Sequence, residues 1–251
     1  MGYTGLDEKV IVVTGAAQGI GAAYVRRLVA EGATVIAADL NLDGVEKLAA
    51  SLGERVVPVA IDVSSVDSCR ALADRLAADY GRCDGLINNA AIFSTIRMAP
   101  FWEITEREWD LLMNVNLKGV WQLSTALFEL FKASGKASIV NIGSDSVPMG
   151  RTNYLHYTAS KAAVTGMTYG MSKELGGFGI RVNTLSPGPV YTEVARDTVT
   201  EEQTKAMLAN TALGRKAGPD DMTAVAAFLL SDDSGYVTGQ TISVNGGLYH
   251  R

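Results

Sequence analysis

Cysteine and proline are scarce in this chain, with two of the first and six of the second among 251 residues. Cys69 and Cys83 have neither the number for a disulfide framework nor the spacing of metal ligands, so both read as bystanders and no metal site is expected. No proline- or serine-rich linker interrupts the chain and no repeat period appears, which argues against separate modules. No run reaches the roughly eighteen apolar residues that would span a bilayer, and residues 1–9 lack the basic start and apolar stretch of a signal peptide. A cytoplasmic protein without a membrane partner is the expectation. Basic clusters are missing too: 22 Lys and Arg against 27 Asp and Glu leave a net charge of −5, which argues against nucleic acid as a partner.

What is present is apolar residues at 47%, enough for one large core. Apolar β-branched runs alternate with helix-like segments throughout. Strands are expected at residues 9–14, up to Asp39, at 56–61, at 85–88, ending near Ser144, and at 180–185. Helices are expected from Gly19, Asp43 and Val66, over 109–131, around Tyr157, and from Gly218-Pro219-Asp220. Ser64 with Asp67, and Thr105 with Glu108, have the spacing of N-terminal capping pairs. Residues 190–213 read as a mobile insert. The pattern predicts an α/β fold over residues 1–251: a single domain built on a doubly wound parallel sheet flanked by helices, with ligand at the carboxyl ends of the strands.

The first strand runs straight into Gly15-Ala-Ala-Gln18-Gly19-Ile20-Gly21. Glycines here allow a tight turn, close approach of backbone to a pyrophosphate and close helix packing, while free N–H groups and the helix dipole attract phosphate. The spacing is Gly-x-x-x-Gly-x-Gly, so the strand-turn-helix context carries the reading along with the glycines. About twenty residues on, Asp39 ends the second strand, where a carboxylate accepts hydrogen bonds from an adenosine ribose and repels a 2′-phosphate. Neither Gln18 nor Leu40 supplies a cation, so NAD(H) is the expected cofactor.

Tyr157 and Lys161 are four residues apart and share a helix face. A tyrosine hydroxyl is a poor base near neutrality, but a neighbouring ammonium favours the phenolate, by about 1.4 kcal/mol for each unit of pKa. Ser144 lies thirteen residues before Tyr157, at the end of a buried strand. Ser146 competes with it, and Tyr154 competes with Tyr157 but stands two helical turns from Lys161.

Taken in order, Thr14-Gly15 to Gly21, Asp62-Val63, Asn88-Asn89-Ala90, Asn116, Ser144, Tyr157/Lys161 and Pro187-Gly188 resemble the classical short-chain dehydrogenase/reductases over nearly the whole chain. Gly239 to Gly247 resembles that family's last strand and following turn. Two departures stand out: Ala91 replaces a glycine after Asn88-Asn89-Ala90, and Gly143 stands where a second serine is frequent. The resemblance implies a Rossmann-type domain, usually a homotetramer, that oxidises alcohols or reduces carbonyls with NAD(P)(H). It implies that Asp62 and Val63 contact adenine, although Asp62 also suits a cap for the helix from Val66. Asn89 and Ala90 would lie along the adenine ribose and the sheet in a largely structural role. Pro187, Gly188, Val190 and Thr192 would cover the nicotinamide. Tyr157 would exchange the alcohol proton and Ser144 would bond the substrate oxygen. Lys161 would tune Tyr157 and hold the nicotinamide ribose, and Asn116 would link the lysine to a water-filled proton path.

Three segments would shape the substrate pocket. Phe93, Met149, Tyr154 and Tyr191, with Met98, Phe101, Trp102 and Met207, favour an apolar cyclic or aryl secondary alcohol or ketone; Arg97, Arg151 and Arg196 could receive an anion, so a carboxylated or phosphorylated alcohol is the second choice. A 3-oxoacyl-thioester reductase would have the same catalytic residues but usually draws on NADPH, which Asp39 disfavours. A protein that binds NAD without turnover is disfavoured by the intact Ser144, Tyr157 and Lys161. The ending Tyr249-His250 resembles branches acting on aryl alcohols, whose tails can reach a neighbouring subunit's pocket.

Overall fold

The computed structural model describes residues 2–194 and 200–250. Its strands are β1 (Val10–Thr14), β2 (Thr34–Asp39), β3 (Val56–Ala60), β4 (Gly85–Asn88), β5 (Ser138–Ile142), β6 (Arg181–Pro187) and β7 (Thr241–Val244). They form one parallel sheet in the order β3-β2-β1-β4-β5-β6-β7. Alternation along β1 shows why the strands read as unbroken apolar runs: Ile11 and Val13 pack into one core layer, Val10 and Val12 into the other. The strand order reverses between β1 and β4, which opens a crevice at their carboxyl ends.

The helices are α1 (Gly19–Ala30), α2 (Leu42–Leu52), α3 (Val66–Asp79), α4 (Glu106–Met113), α5 (Gly119–Ala126), α6 (Phe128–Ser134), α7 (Ser146–Met149), α8 (Leu155–Leu175), α9 (Glu201–Ala209) and α10 (Asp220–Leu230). Residues of α1, α2 and α10 fill the core on one face of the sheet, and residues of α3, α5 and α6 fill the other. A chain of buried polar side chains crosses the second half of the sheet: Asn88 Nδ2 donates to Ser124 Oγ and Asn141 Oδ1, Asn141 Nδ2 to Thr168 Oγ1, and Thr184 Oγ1 to the same Thr168 oxygen. Each buried group thereby finds a partner.

Three local expectations are corrected. The helix expected over 109–131 starts at Glu106, because Thr105 and Glu108 form a reciprocal capping box, and it runs to Ser134 with a π-helical turn at Asn114–Lys118. The cap of α3 is Ser65, whose hydroxyl accepts from Ser68 N; Ser64 instead bonds Asp62. The insert expected at 190–213 contains α9, started by a second capping box between Thr200 and Gln203. No helix among the described residues is long and apolar enough to cross a membrane. Both cysteines are free and buried, and burial pushes Cys69 up to about 11 and Cys83 to about 12.

Candidate active site

A cleft of about 710 Å³ runs along the carboxyl edge of the sheet. Its first wall is the turn between β1 and α1. Gly15 has φ +64°, and a Cβ there would stand 2.9 Å from Ala90 Cα; a Cβ on Gly21 would strike the carbonyl oxygen of Gly15. Both positions therefore exclude a side chain, and the turn lies tight against β4. Asn89 fastens it, its side-chain amide donating to the carbonyls of Thr14 and Gly15 at 3.0 and 3.1 Å. The hydroxyl of Thr14 in turn accepts from the amides of Asn89 and Ala90. Asn89 thus acts as scaffold for the turn.

No acidic side chain occupies the first turn of α1. Instead a carboxylate from elsewhere in the chain has settled there: Glu193 Oε1 accepts from Gly19 N at 2.7 Å. This anion at the helix end, together with glycines that leave room for backbone approach, shows that the residues fit the pyrophosphate of a dinucleotide. Asp39 closes the far side, accepting from Ala17 N and Asn41 N, both at 2.9 Å. Leu40 beside it is exposed. Asp62 spends Oδ1 on the amide and hydroxyl of Ser64, so it does not cap α3, and Asp62 and Val63 both reach the cleft. Gln18, Ile20, Pro187, Gly188, Val190 and Thr192 also line it.

The opposite wall carries Ser144, Tyr157 and Lys161. Ser144 follows Gly143 after β5, and its Oγ accepts from Ser146 N at 3.1 Å. Gly143 packs closely on β6: a Cβ there would lie 2.7 Å from Thr184 Cγ2 and would force that methyl to move. One helix, α8, brings Tyr157 and Lys161 into the cleft, with Lys161 Nζ 5.9 Å from the Tyr157 ring centroid. Lys161 is buried, donates to Ile142 O at 2.8 Å, and burial lowers its ammonium to about 8. It keeps its proton at neutral pH but holds it less firmly than a surface lysine. Phe93 tilts over Tyr157 at 4.8 Å and stacks with Tyr154 at 6.2 Å.

Asn116 is fully buried behind this wall. Its Oδ1 accepts from Ile92 N at 2.7 Å and its Nδ2 donates to Ile92 O at 3.1 Å, so the side chain pins the segment after β4. The π turn that holds Asn116 is what aims it there.

Among the expected substrate residues, Phe93, Met149, Tyr154 and Tyr191 line the cleft, as do Arg151 and Met207. Arg97 does not: Glu108 holds its guanidinium at 2.9 Å on the surface, with Glu103 beside it. Two acids, Glu108 in the first turn of α4 and Glu103 just before that helix, capture this arginine before any substrate anion can. Phe101 and Trp102 meet edge to face and are exposed. Arg196 lies outside the described residues. Two residues were missed from the sequence. Glu193 carries no signal of its own, and Asp145, buried beside Ser144, has partners too distant in sequence to suggest it.

A family model described as enoyl-(acyl carrier protein) reductase matches residues 15–249. The chain is 39% identical over 246 residues to the 3-oxoacyl-(acyl-carrier-protein) reductase FabG of Thermotoga maritima, covering 97% of this chain and 98% of that one. It is 38% identical to the D-threitol dehydrogenase of Mycolicibacterium smegmatis, covering 96% and 93%. Among solved structures, a short-chain dehydrogenase/reductase from Brucella melitensis, titled glucose/ribitol dehydrogenase, superposes with a TM-score of 0.92 at 32% identity over the whole of both chains. On the match, the relatives and a site built to receive a dinucleotide, the chain belongs to the short-chain dehydrogenase/reductase family of nicotinamide-dependent oxidoreductases.

Proposed function

We propose that the protein is an NAD(H)-dependent oxidoreductase that interconverts a secondary alcohol and a ketone. The observation that carries this reading is the convergence of Ser144, Tyr157 and Lys161 on one wall of the cleft whose other wall is the glycine turn. The bound nicotinamide supplies the hydride acceptor or donor. Tyr157 exchanges the proton of the alcohol oxygen, and Ser144 donates a hydrogen bond to that oxygen as its charge changes. Lys161 places positive charge beside Tyr157 and favours its ionised form. Asn116 acts one step back, fixing Ile92 and with it the approach to Phe93.

NAD(H) is preferred over the phosphorylated coenzyme. Among the described residues lining the cleft, the cations are Arg151 and Lys161, both beyond β5, and Asp39 presents negative charge where a 2′-phosphate would sit. Phe93, Met149, Tyr154 and Tyr191 support an apolar cyclic or aryl substrate. Two cysteines without a disulfide fit a cytoplasmic protein. Exposed Trp109, Leu111, Trp121 and Tyr169 on α4, α5 and α8 support a homotetramer, to be checked by light scattering.

A second reading, a 3-oxoacyl-thioester reductase, is favoured by the name of the 39% identical relative. One experiment separates the two: a panel of cyclic and aryl alcohols, their ketones and a 3-oxoacyl thioester, each with NAD(H) and NADP(H), followed at the reduced-nicotinamide absorbance. Turnover of the thioester with NADPH alone would refute the first reading.

A further inference from the structure

Asp145 directly follows Ser144, lies in the cleft wall, and is only 1% exposed. Its Oδ1 accepts from Ser186 Oγ at 2.7 Å and from Ser243 Oγ at 2.9 Å, and its Oδ2 accepts from Asn245 Nδ2 at 2.6 Å. Its amide donates to Pro187 O at 3.0 Å. One side chain thus gathers β6, β7 and the turn beyond β7 around the residue next to the serine.

Asn245 passes the connection on. Its Nδ2 also donates to Tyr249 O, and its Oδ1 accepts from Gly247 N, both at 2.9 Å. Gly188 is packed on it so closely that a Cβ would stand 2.7 Å from Asn245 Cβ. The same turn grips the chain after α9: Gly246 O accepts from Leu213 N at 3.0 Å, and a Cβ on Gly247 would meet Ala212 Cβ at 2.6 Å. Thr204 and Met207 of α9 line the cleft.

Closing the sheet does not need these polar groups, because backbone pairing already registers Ser186 with Ser243 and Pro187 with Val244. A buried carboxylate is costly unless its donors are all in place, so three donors from separate segments make the arrangement all-or-none. Such a device fixes relative position.

We propose that Asp145 is a positioning residue: it locks the Ser144 turn to the turn at residues 245–249 and, through that turn, to the α9 wall, so that the serine hydroxyl and the substrate side of the cleft are set as one unit. The proposal rests on the role given to Ser144 under Proposed function.

The test compares Asp145→Ala, Asp145→Asn and Asn245→Ala on the best substrate of the panel and in amide hydrogen exchange without coenzyme. Misplacement of this size is expected to lower kcat/KM about a hundredfold in Asp145→Ala and about tenfold in Asn245→Ala, with kcat reduced and KM raised together. Asp145→Asn is expected to stay within about threefold of wild type, since its oxygen still accepts from Asn245 and its NH2 donates to the serine hydroxyls. Exchange at the Leu213 and Gly247 amides should rise about tenfold in Asp145→Ala while α1 stays protected. A kcat/KM within threefold of wild type per folded Asp145→Ala molecule, or a fall without faster exchange at Leu213 and Gly247, overturns the proposal. Should Asp145→Ala not fold, Ser243→Ala removes a single donor and takes its place in both measurements. If the wild type turns over nothing in the panel, the functional reading fails and exchange alone decides this proposal. If Tyr157→Phe abolishes activity while Asp145→Ala does not, only this proposal fails.

Discussion

The carboxylate of Glu193 accepts a 2.7 Å hydrogen bond from the backbone amide of Gly19, the residue that starts α1. That bond holds the Glu193 carboxyl below its ordinary range. A coenzyme pyrophosphate seeks the same helix end, so the two negative groups compete. Glu193→Gln keeps an acceptor and drops the charge; the dissociation constant for NADH should fall about fivefold. Fluorescence titration checks this, and weaker binding in the variant would show that Glu193 assists the coenzyme.

Tyr157→Phe removes only the hydroxyl, from a ring already packed against Phe93. The loss in kcat should be about a hundredfold to ten-thousandfold, the range of positioned acid–base catalysis, with NADH affinity and unfolding temperature retained. Steady-state rates beside calorimetry give the answer.

Lys161 titrates at about 8 in the folded protein against an ordinary 10.5, because burial penalises the ammonium. Between those values the unfolded chain holds a proton that the folded chain has shed, so stability should rise as pH increases from about 8 to about 10.5. Below that window both forms are protonated and the full burial penalty applies. Lys161→Met should flatten this slope. It should also stabilise the protein at pH 7 by on the order of 1–2 kcal/mol, after allowing for the donor lost by Ile142 O, while abolishing activity. Urea titrations across this pH range measure both effects.

Asp39→Ala combined with Leu40→Arg replaces the repelling carboxylate by a cation at an exposed position. The ratio of kcat/KM for NADPH over NADH should rise about a hundredfold, with most of the change in KM. An unchanged ratio would place the coenzyme's 2′ position elsewhere.

Much of this architecture was legible in the chain because its signals are local. The apolar run up to Thr14, the glycine turn after it and Asp39 at the end of β2 sit within one supersecondary unit; the run is buried in the core as β1, and the glycine turn and Asp39 line the cleft. Tyr157 and Lys161 were readable from helix spacing taken together with the glycine turn, Asp39 and Ser144 around them. What escaped was decided at a distance. Arg97 had the right chemistry for an anion, and Glu108 was legible as the capping partner of Thr105, but that the same carboxylate also reaches back eleven residues to Arg97 was not. Asn116 was legible as a residue of the long helix, whereas its bonds to Ile92 come from a π turn that has no sequence signature. Asp145 draws donors from Ser186, Ser243 and Asn245, up to 100 residues away. The Thr200-x-x-Gln203 pair was a missed local signal, readable as a helix start.

The wide turn at Asn114–Lys118 has an implication for how this chain tolerates length changes. A π turn amounts to one surplus residue in an otherwise regular α-helix. Excising Asn114 or Val115 would let the backbone relax into an ordinary spiral, a change that costs the helix itself nothing. Everything downstream would then be rotated by about 100° relative to what precedes it. Asn116 would swing off Ile92, and Gly119, whose missing side chain lets α5 approach Val63, would no longer face it. The apparent irregularity is therefore a phase adjuster, and shortening it would leave a better helix in a worse protein.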